Sequence, residues 1–350
     1  MANKSVWTSS AARRSTLKDV AELSGVSPMT VSNVINGRVK GYNVETRDRV
    51  LRAVTQMNYR PDIAARSLRT DRRNAVGMLV VHDDNAFLSD PYIYTLLDGL
   101  CAGLNQHNLS MVLQGLSASK IADATLVRQR HSDALCILMS GPFSTESHIA
   151  ESLLSLGQPV VLFQQNLANI PNDVCILRQD DYEGGRALCE HLIERGARRI
   201  VAVMPRPEWP AMKARLEGIR EKIASLGHVA ELNVIVSIDE TPAATQGALS
   251  GYMNDGGLFD SVIAGNDQMA IAIYRMLKSR GIQIPADVRL TGFNGFDLLN
   301  YFEAKLTTMR SPAFQLGMLG ALHLVRRLES GRFDARLSIL PVEFVPGETT

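Results

Sequence analysis

Apolar positions in the first sixty residues recur every three or four places, the period of helices rather than strands. In TLKDVAELSG, residues 16–25, Leu17, Val20, Ala21 and Ser24 share one side of a predicted helix that Gly25 ends. In SPMTVSNVINGR, residues 27–38, Ser27 supplies an N-cap oxygen and Pro28 is pre-shaped for the first helical position. Val31, Val34 and Ile35 form the apolar stripe of that second helix, leaving Met29, Thr30, Ser32, Asn33 and Asn36 on a face that is polar yet uncharged. Asn43 caps a third helix running through Met57, with Val44, Val50, Leu51, Val54 and Met57 as its expected buried side. Pro61 starts a short helix in the Arg-rich segment that follows.

From Ala75 the pattern changes to apolar strands alternating with amphipathic helices. AVGMLVV, a helix near 92–107, SMVLQG, a helix near 120–130, ALCILM, a helix near 145–156 and PVVLF form one βα series. DVCIL opens a second, with helices near 182–195, 211–226, 242–254 and 268–279 between RIVAVM, NVIV, SVIAG and VRLTGF. This alternation predicts an α/β body of two parallel sheets covered on both faces, hence two lobes. In such sheets small molecules bind beyond the carboxyl ends of the strands, which makes the space between the lobes the candidate ligand site.

Two short helices joined by a tight turn form the helix-turn-helix unit, whose second helix can lie in a DNA major groove. The amides of Asn33 and Asn36 match the N6 and N7 edge of adenine, and Met29 or Pro28 can meet a thymine methyl. A solvated helical hairpin is the alternative. Charge separates the two readings. The 350 residues carry a net +1, but residues 1–73 hold 14 Lys and Arg against 6 Asp and Glu, so a basic head sits on an acidic body. Cys101, Cys136, Cys175 and Cys189 have no metal-like spacing, and no apolar run approaches 18 residues. Reduced thiols, a cytoplasmic location, and no metal, cofactor or membrane partner follow as expectations. No phosphate-binding glycine loop, nucleophile elbow or H-E-x-x-H motif appears, so no catalytic residue and no enzyme is expected.

TLKDVAELSGVSPMTVSNVINGR, ETRDRVLRAVTQMNYRPDIAARSLRT, AGNDQMAIAIYRML and LTGFNGFD together resemble the LacI/GalR family of bacterial transcription regulators, from about Thr16 to Pro346. The resemblance implies a flexible tail over 1–15, a helix-turn-helix domain over 16–60, a hinge helix and linker over 61–73, and an effector and dimerisation domain over 74–350. That last domain is of the two-lobed, periplasmic-binding-protein-like type I, with one lobe of about 74–173 plus 312–338 and another of about 174–311 plus 339–350. It implies a homodimer on a pseudo-palindromic DNA operator, with Pro28, Met29 and Asn33 facing bases and Leu68, beside Ala65, wedged into the central minor-groove step. Most relatives carry Arg where Asn33 stands, so adenine is preferred over guanine. It places Arg215 and Asn266 in the effector cleft, with Asp267 capping the following helix, and lets Trp209, Tyr92 and Tyr94 form a stacking wall. Relatives that bind neutral sugars often have Asp where Gln164 and Asn294 stand. Those amides, with Arg215 and Arg206, point to an acidic or oxidised carbohydrate; a neutral sugar held by differently arranged amides is the alternative. An exported solute receptor without a DNA role, or a corepressor-dependent regulator outside sugar metabolism, are the other readings of the same body.

Overall fold

The computed structural model describes residues 15–38, 41–61, 72–82, 87–139, 157–167, 169–206, 209–227 and 229–350. The N-terminal tail, the hinge positions Ala65 and Leu68, and the helix expected near 145–156 lie outside the described residues. The chain divides into two compact units, 1–73 and 74–350.

In the first unit, Thr16 and Asp19 form a capping box at the start of α1 (Leu17–Ser24), and Gly25 ends it at φ 63°, where a Cβ would be strained. Ser27 accepts the Thr30 N–H at the start of α2 (Pro28–Ile35), and Asn43 accepts the Thr46 N–H at the start of α3 (Val44–Gln56). Val20, Ala21, Val31, Val34, Val50 and Ala53 make the core of the three helices, with Leu17, Val26, Ile35, Val54 and Met57 packed around it. The buried side expected for α3 needs correction at two places: Val44 and Leu51 are exposed and Ala53 is buried. Val50, Ala53, Val54 and Met57 hold the inward stripe at positions i, i+3, i+4 and i+7; Val44 sits at the free first turn and Leu51 on the flank. Arg49 Nε donates to the Ser24 carbonyl at 2.8 Å, fastening α3 to the end of α1. Ser27→Ala should cost this unit about 1 kcal/mol, read from the denaturation of its helical signal.

The second unit opens with β1 (Ala75–Val81), α4 (Pro91–Gln106) and β2 (Ser110–Leu116). Where one helix was expected near 120–130, a 3₁₀ turn over Ala118–Asp123 and the four-residue α5 (Thr125–Arg128) stand instead. Then come β3 (Ala134–Met139), β4 (Val160–Phe163), β5 (Val174–Gln179) and α6 (Asp181–Glu194), followed by β6 (Arg199–Pro205), α7 (Pro210–Ser225), β7 (Glu231–Ser237) and α8 (Pro242–Asn254). The chain continues through β8 (Ser261–Ala264), α9 (Asp267–Ser279), β9 (Arg289–Thr291), β10 (Thr308–Arg310), α10 (Ala313–Ser330), β11 (Leu337–Leu340) and β12 (Glu343–Val345).

Two parallel sheets result, in the orders β11-β5-β4-β3-β1-β2 and β7-β6-β8-β9, with an antiparallel β10-β12 pair beside the second. DVCIL, read from sequence as the first strand of the second lobe, is β5 of the first sheet, in register with β4. β11 pairs with β5 as far as Leu340, so 174–179 and 339–340 belong to the first lobe. A short apolar strand reads alike in either sheet; only its pairing assigns it. The chain therefore passes between lobes at 180, at 311–312 and at 341–342. Within each lobe two helices meet backbone to backbone at glycines: Gly99 and Gly317 where α4 crosses α10, Gly185 and Gly218 where α6 crosses α7. Among the described residues no helix is long and apolar enough to cross a membrane.

Candidate functional site

The outward face of α2 is only partly free. Ser27 and Thr30 are joined through the cap, their hydroxyls 3.0 Å apart, and Asn36 Nδ2 donates to the Ser32 carbonyl at 2.6 Å. Asn36 thus closes the C-terminal turn of α2 instead of standing clear of it. Pro28 and Met29 are exposed, Met29 by 74 %. Asn33 is half-buried on the same helix, and its amide carries no such tie among the described residues. Pro28, Met29 and Asn33 therefore offer an apolar edge and an amide with little competition from the protein itself.

The second site is a cleft of about 570 Å³, counting its open mouth, lined from both lobes. It brings together all five residues expected there. Gln164 follows β4, Trp209 precedes α7, Arg215 projects from α7, Asn266 joins β8 to α9, and Asn294 follows β9. The strand ends supply them because parallel strands deliver every carboxyl end to one edge of the sheet. Tyr92 lines the cleft; Arg206 and the half-exposed Tyr94 are not part of its wall. Asn266 has two functions, since Oδ1 accepts the Met269 N–H at 2.9 Å as the cap of α9 while Nδ2 donates to Glu240. Asp267, expected as that cap, is instead buried and accepts from Thr308 Oγ1 at 2.7 Å and the Gly295 N–H at 2.6 Å.

Arg215 is almost wholly buried, and its charge is already engaged. Nε donates to Asp181 Oδ1 at 2.8 Å, Nη1 donates to the Gly265 carbonyl, Nη2 lies 3.4 Å from Asn294 Oδ1, and the guanidinium stacks 3.6 Å from the Phe293 ring centre. Asp181, at the first passage between the lobes, also accepts from Gln179 at 2.8 Å and Gln164 at 3.3 Å, while Ser311 at the second passage donates to Gln179 at 2.6 Å. One polar network therefore runs from the cleft wall into two of the inter-lobe passages. Buried polar groups fully paired in this way hold a single geometry.

Asp90, Asp181 and Glu240 were not singled out from sequence. Asp90 signals itself only as the N-cap before Pro91, where it accepts the Tyr92 N–H at 2.8 Å. Asp90 and Glu240 put two carboxylates into the cleft from opposite lobes, which runs against the preference for an anionic effector built on Arg215. Burial, then the Asp90 charge, pushes the Glu240 carboxyl up to about 8, against the opposing pull of Arg215 and Asn266. Burial likewise raises Asp90, with the Tyr92 N–H and His82 acting the other way. Between the ordinary 4.5 and about 8 the native state keeps a proton on Glu240 that the unfolded chain has released, so stability is lost as pH rises through that window. Glu240→Gln should match wild type at the acid end and gain on it by up to about 1.4 kcal/mol per pH unit above it. Urea unfolding at both ends of the window checks this, and an unchanged difference would remove the assignment.

The four cysteines are free thiols, and no group of three or more metal-ligating side chains occurs among the described residues. Residues 16–62 match the family described as bacterial regulatory proteins, lacI family, and residues 189–350 match the periplasmic binding protein-like domain. The HTH-type transcriptional regulator CelR of Thermobifida fusca is 28% identical over 320 residues, covering 90% of this chain and 92% of that one. The ribose operon repressor of Escherichia coli K12 is 28% identical over 346 residues, 93% and 97% of the two chains. The solved CelR–cellobiose complex is 26% identical with a TM-score of 0.71, over 96% of this chain and all of that one. The chain thus carries a lacI-family DNA-binding domain followed by a periplasmic binding protein-like domain, and LacI-family transcription regulators match it along nine-tenths of its length.

Proposed function

We propose that the chain is a sequence-specific transcriptional repressor that binds a pseudo-palindromic operator as a homodimer and is controlled by a sugar-class molecule in the cleft between its lobes. The carrying observation is the continuity of the cleft wall with the inter-lobe passages through Arg215, Asp181, Gln179 and Ser311. A ligand that engages Gln164, Arg215 or Asn294 from the cleft has a differential interaction with any rearrangement of those passages, which is what coupling to a separate DNA site requires. The sugar class is supported by the cellobiose bound to CelR and by the ribose operon repressor. The DNA reading is supported by the uncharged outer face of α2 and the basic balance of residues 1–73. No catalytic step is assigned to the cleft.

Fluorescence anisotropy of the full chain on genomic fragments, with and without sugars, tests the reading. Specific binding that a sugar shifts is the expected result; indifference to every fragment at low ionic strength removes it. Asn33→Ala should lose about 1–3 kcal/mol of base discrimination at one position of each half-site while leaving general DNA affinity nearly unchanged. Preference retained at every position would remove Asn33 as a base contact.

A further inference from the structure

The cleft holds two carboxyl groups, more acidic character than a neutral polyol needs. Asp90, at the N-cap of α4, and Glu240, after β7, reach the same space from different lobes. The one cation in the described wall, Arg215, donates to Asp181, to the Gly265 carbonyl and toward Asn294; it acts on Glu240 through space and donates to neither carboxyl. Two further groups there are buried without a hydrogen-bond partner, the Tyr92 hydroxyl and the Trp209 indole N–H. Buried polar atoms of this kind are normally satisfied, and both residues line the cleft. No third carboxylate, thiol or imidazole joins Asp90 and Glu240 in a metal-binding group among the described residues. That leaves a compact organic cation, which also suits the aromatic rings of Tyr92 and Trp209.

We propose that the effector carries a basic nitrogen, as an amino sugar does, and that its ammonium group sits between Asp90 and Glu240. The inference rests on the cleft being the effector site. Each carboxylate gains a charge-assisted hydrogen bond, and the sugar hydroxyls are left to Gln164, Asn294, Tyr92 and Trp209. The groups that set the charge of Glu240 are Asp90, Asp239 and Arg215, with Asn266 donating to it. Those around Asp90 are His82, Glu240 and the Tyr92 and Ile93 N–H groups. Burial and the Asp90 charge push the Glu240 carboxyl up to about 8, and an ammonium group beside it favours the carboxylate and releases the proton.

Calorimetric titration of the full chain at neutral pH, in phosphate and in MOPS, provides the test. The probes are glucosamine, galactosamine and the glucosamine disaccharide, each beside its neutral parent sugar and, for the two monosaccharides, the uronic acid. At least one amine should bind about tenfold or more tighter than its parent, as one charged hydrogen bond supplies. Its heat should differ between the buffers by the release of up to one proton, while the parent releases none. Glu240→Gln should bring amine and parent to similar affinity and abolish the proton release; Asp90→Asn, which keeps the capping oxygen, should weaken the amine selectively. A neutral or acidic sugar bound as tightly as its amine, or an amine preference that survives both substitutions, overturns the inference and leaves the sugar-responsive reading intact. Silence from all three chemical sets overturns both.

Discussion

Replacing Arg215 by alanine should cost the effector unit about 3–5 kcal/mol of unfolding free energy and abolish the response of operator binding to effector. The expectation follows from what the substitution leaves behind. Asp181 would stay buried with two amide donors and no cation, in a place where burial already raises its carboxyl above the ordinary carboxylate range. The unpaired group would take up a proton, so the variant should lose further stability as pH rises from the unfolded value through the raised native one. The Gly265 carbonyl and Asn294 Oδ1 would each lose a donor as well. Pairing Arg215→Met with Asp181→Asn removes both charges together and should recover at least half of the loss without restoring the response, since a neutral pair fills the volume but cannot join the cleft to the passages. Urea unfolding and operator anisotropy on the same preparations separate the two effects. A single variant within about 1 kcal/mol of wild type would show the ion pair to be dispensable.

The next largest loss should come from Gly317→Val. A Cβ at this position would lie 2.1 Å from the Leu96 carbonyl oxygen and 2.6 Å from the Leu100 nitrogen, both backbone atoms that no side-chain rotation can move. Gly99, facing it, is equally tight, at 2.0 Å from the Phe314 carbonyl. The helices must therefore separate, opening the apolar seam that Leu96, Leu100, Leu316 and Ala321 fill. Overpacking of this severity should cost about 3 kcal/mol or more. The displaced helix is α4, which carries Asp90 and Tyr92 at its start, so ligand affinity should fall along with stability. Gly247→Ala on α8 is the matched control: a Cβ there meets nothing within 4 Å, and the helix should gain about 0.5–1 kcal/mol. If both substitutions moved the unfolding midpoint in the same direction, close helix approach would not be the reason for Gly317.

Helix starts were the most legible feature of the chain. Ser27 with Pro28 and Asn43 both cap as local chemistry dictates, because a cap needs only a side-chain oxygen and a free N–H a few residues apart. Strand membership was less so, as DVCIL demonstrates: near-continuous apolar runs mark a strand buried on both faces but not the sheet that buries it. The five cleft residues could be placed because motifs around them resemble a known family, whereas Asp90, Asp181 and Glu240 stand in stretches that otherwise read as ordinary caps and loops. Their significance arises from long-range pairing, since β1, β5 and β7 bring their ends near one cleft across some 150 residues of chain. The ion pair of Arg215 shows the same limit. Its partner lies 34 residues away across the α6–α7 crossing, and nothing local to either residue announces it.

Gln164 and Asn294 both sit in the left-handed backbone region, with φ of 56° and 115°. Side chains other than glycine adopt it at a cost, and asparagine and aspartate tolerate it best. Ligand retargeting at these two places is thus filtered by conformation before recognition chemistry enters. Valine, isoleucine and threonine would be rejected at either site whatever hydrogen bonds they offered, and a mutagenesis library for new effectors is better concentrated on Tyr92, Trp209 and Gln268, whose helical or extended backbones are open to most residues other than proline.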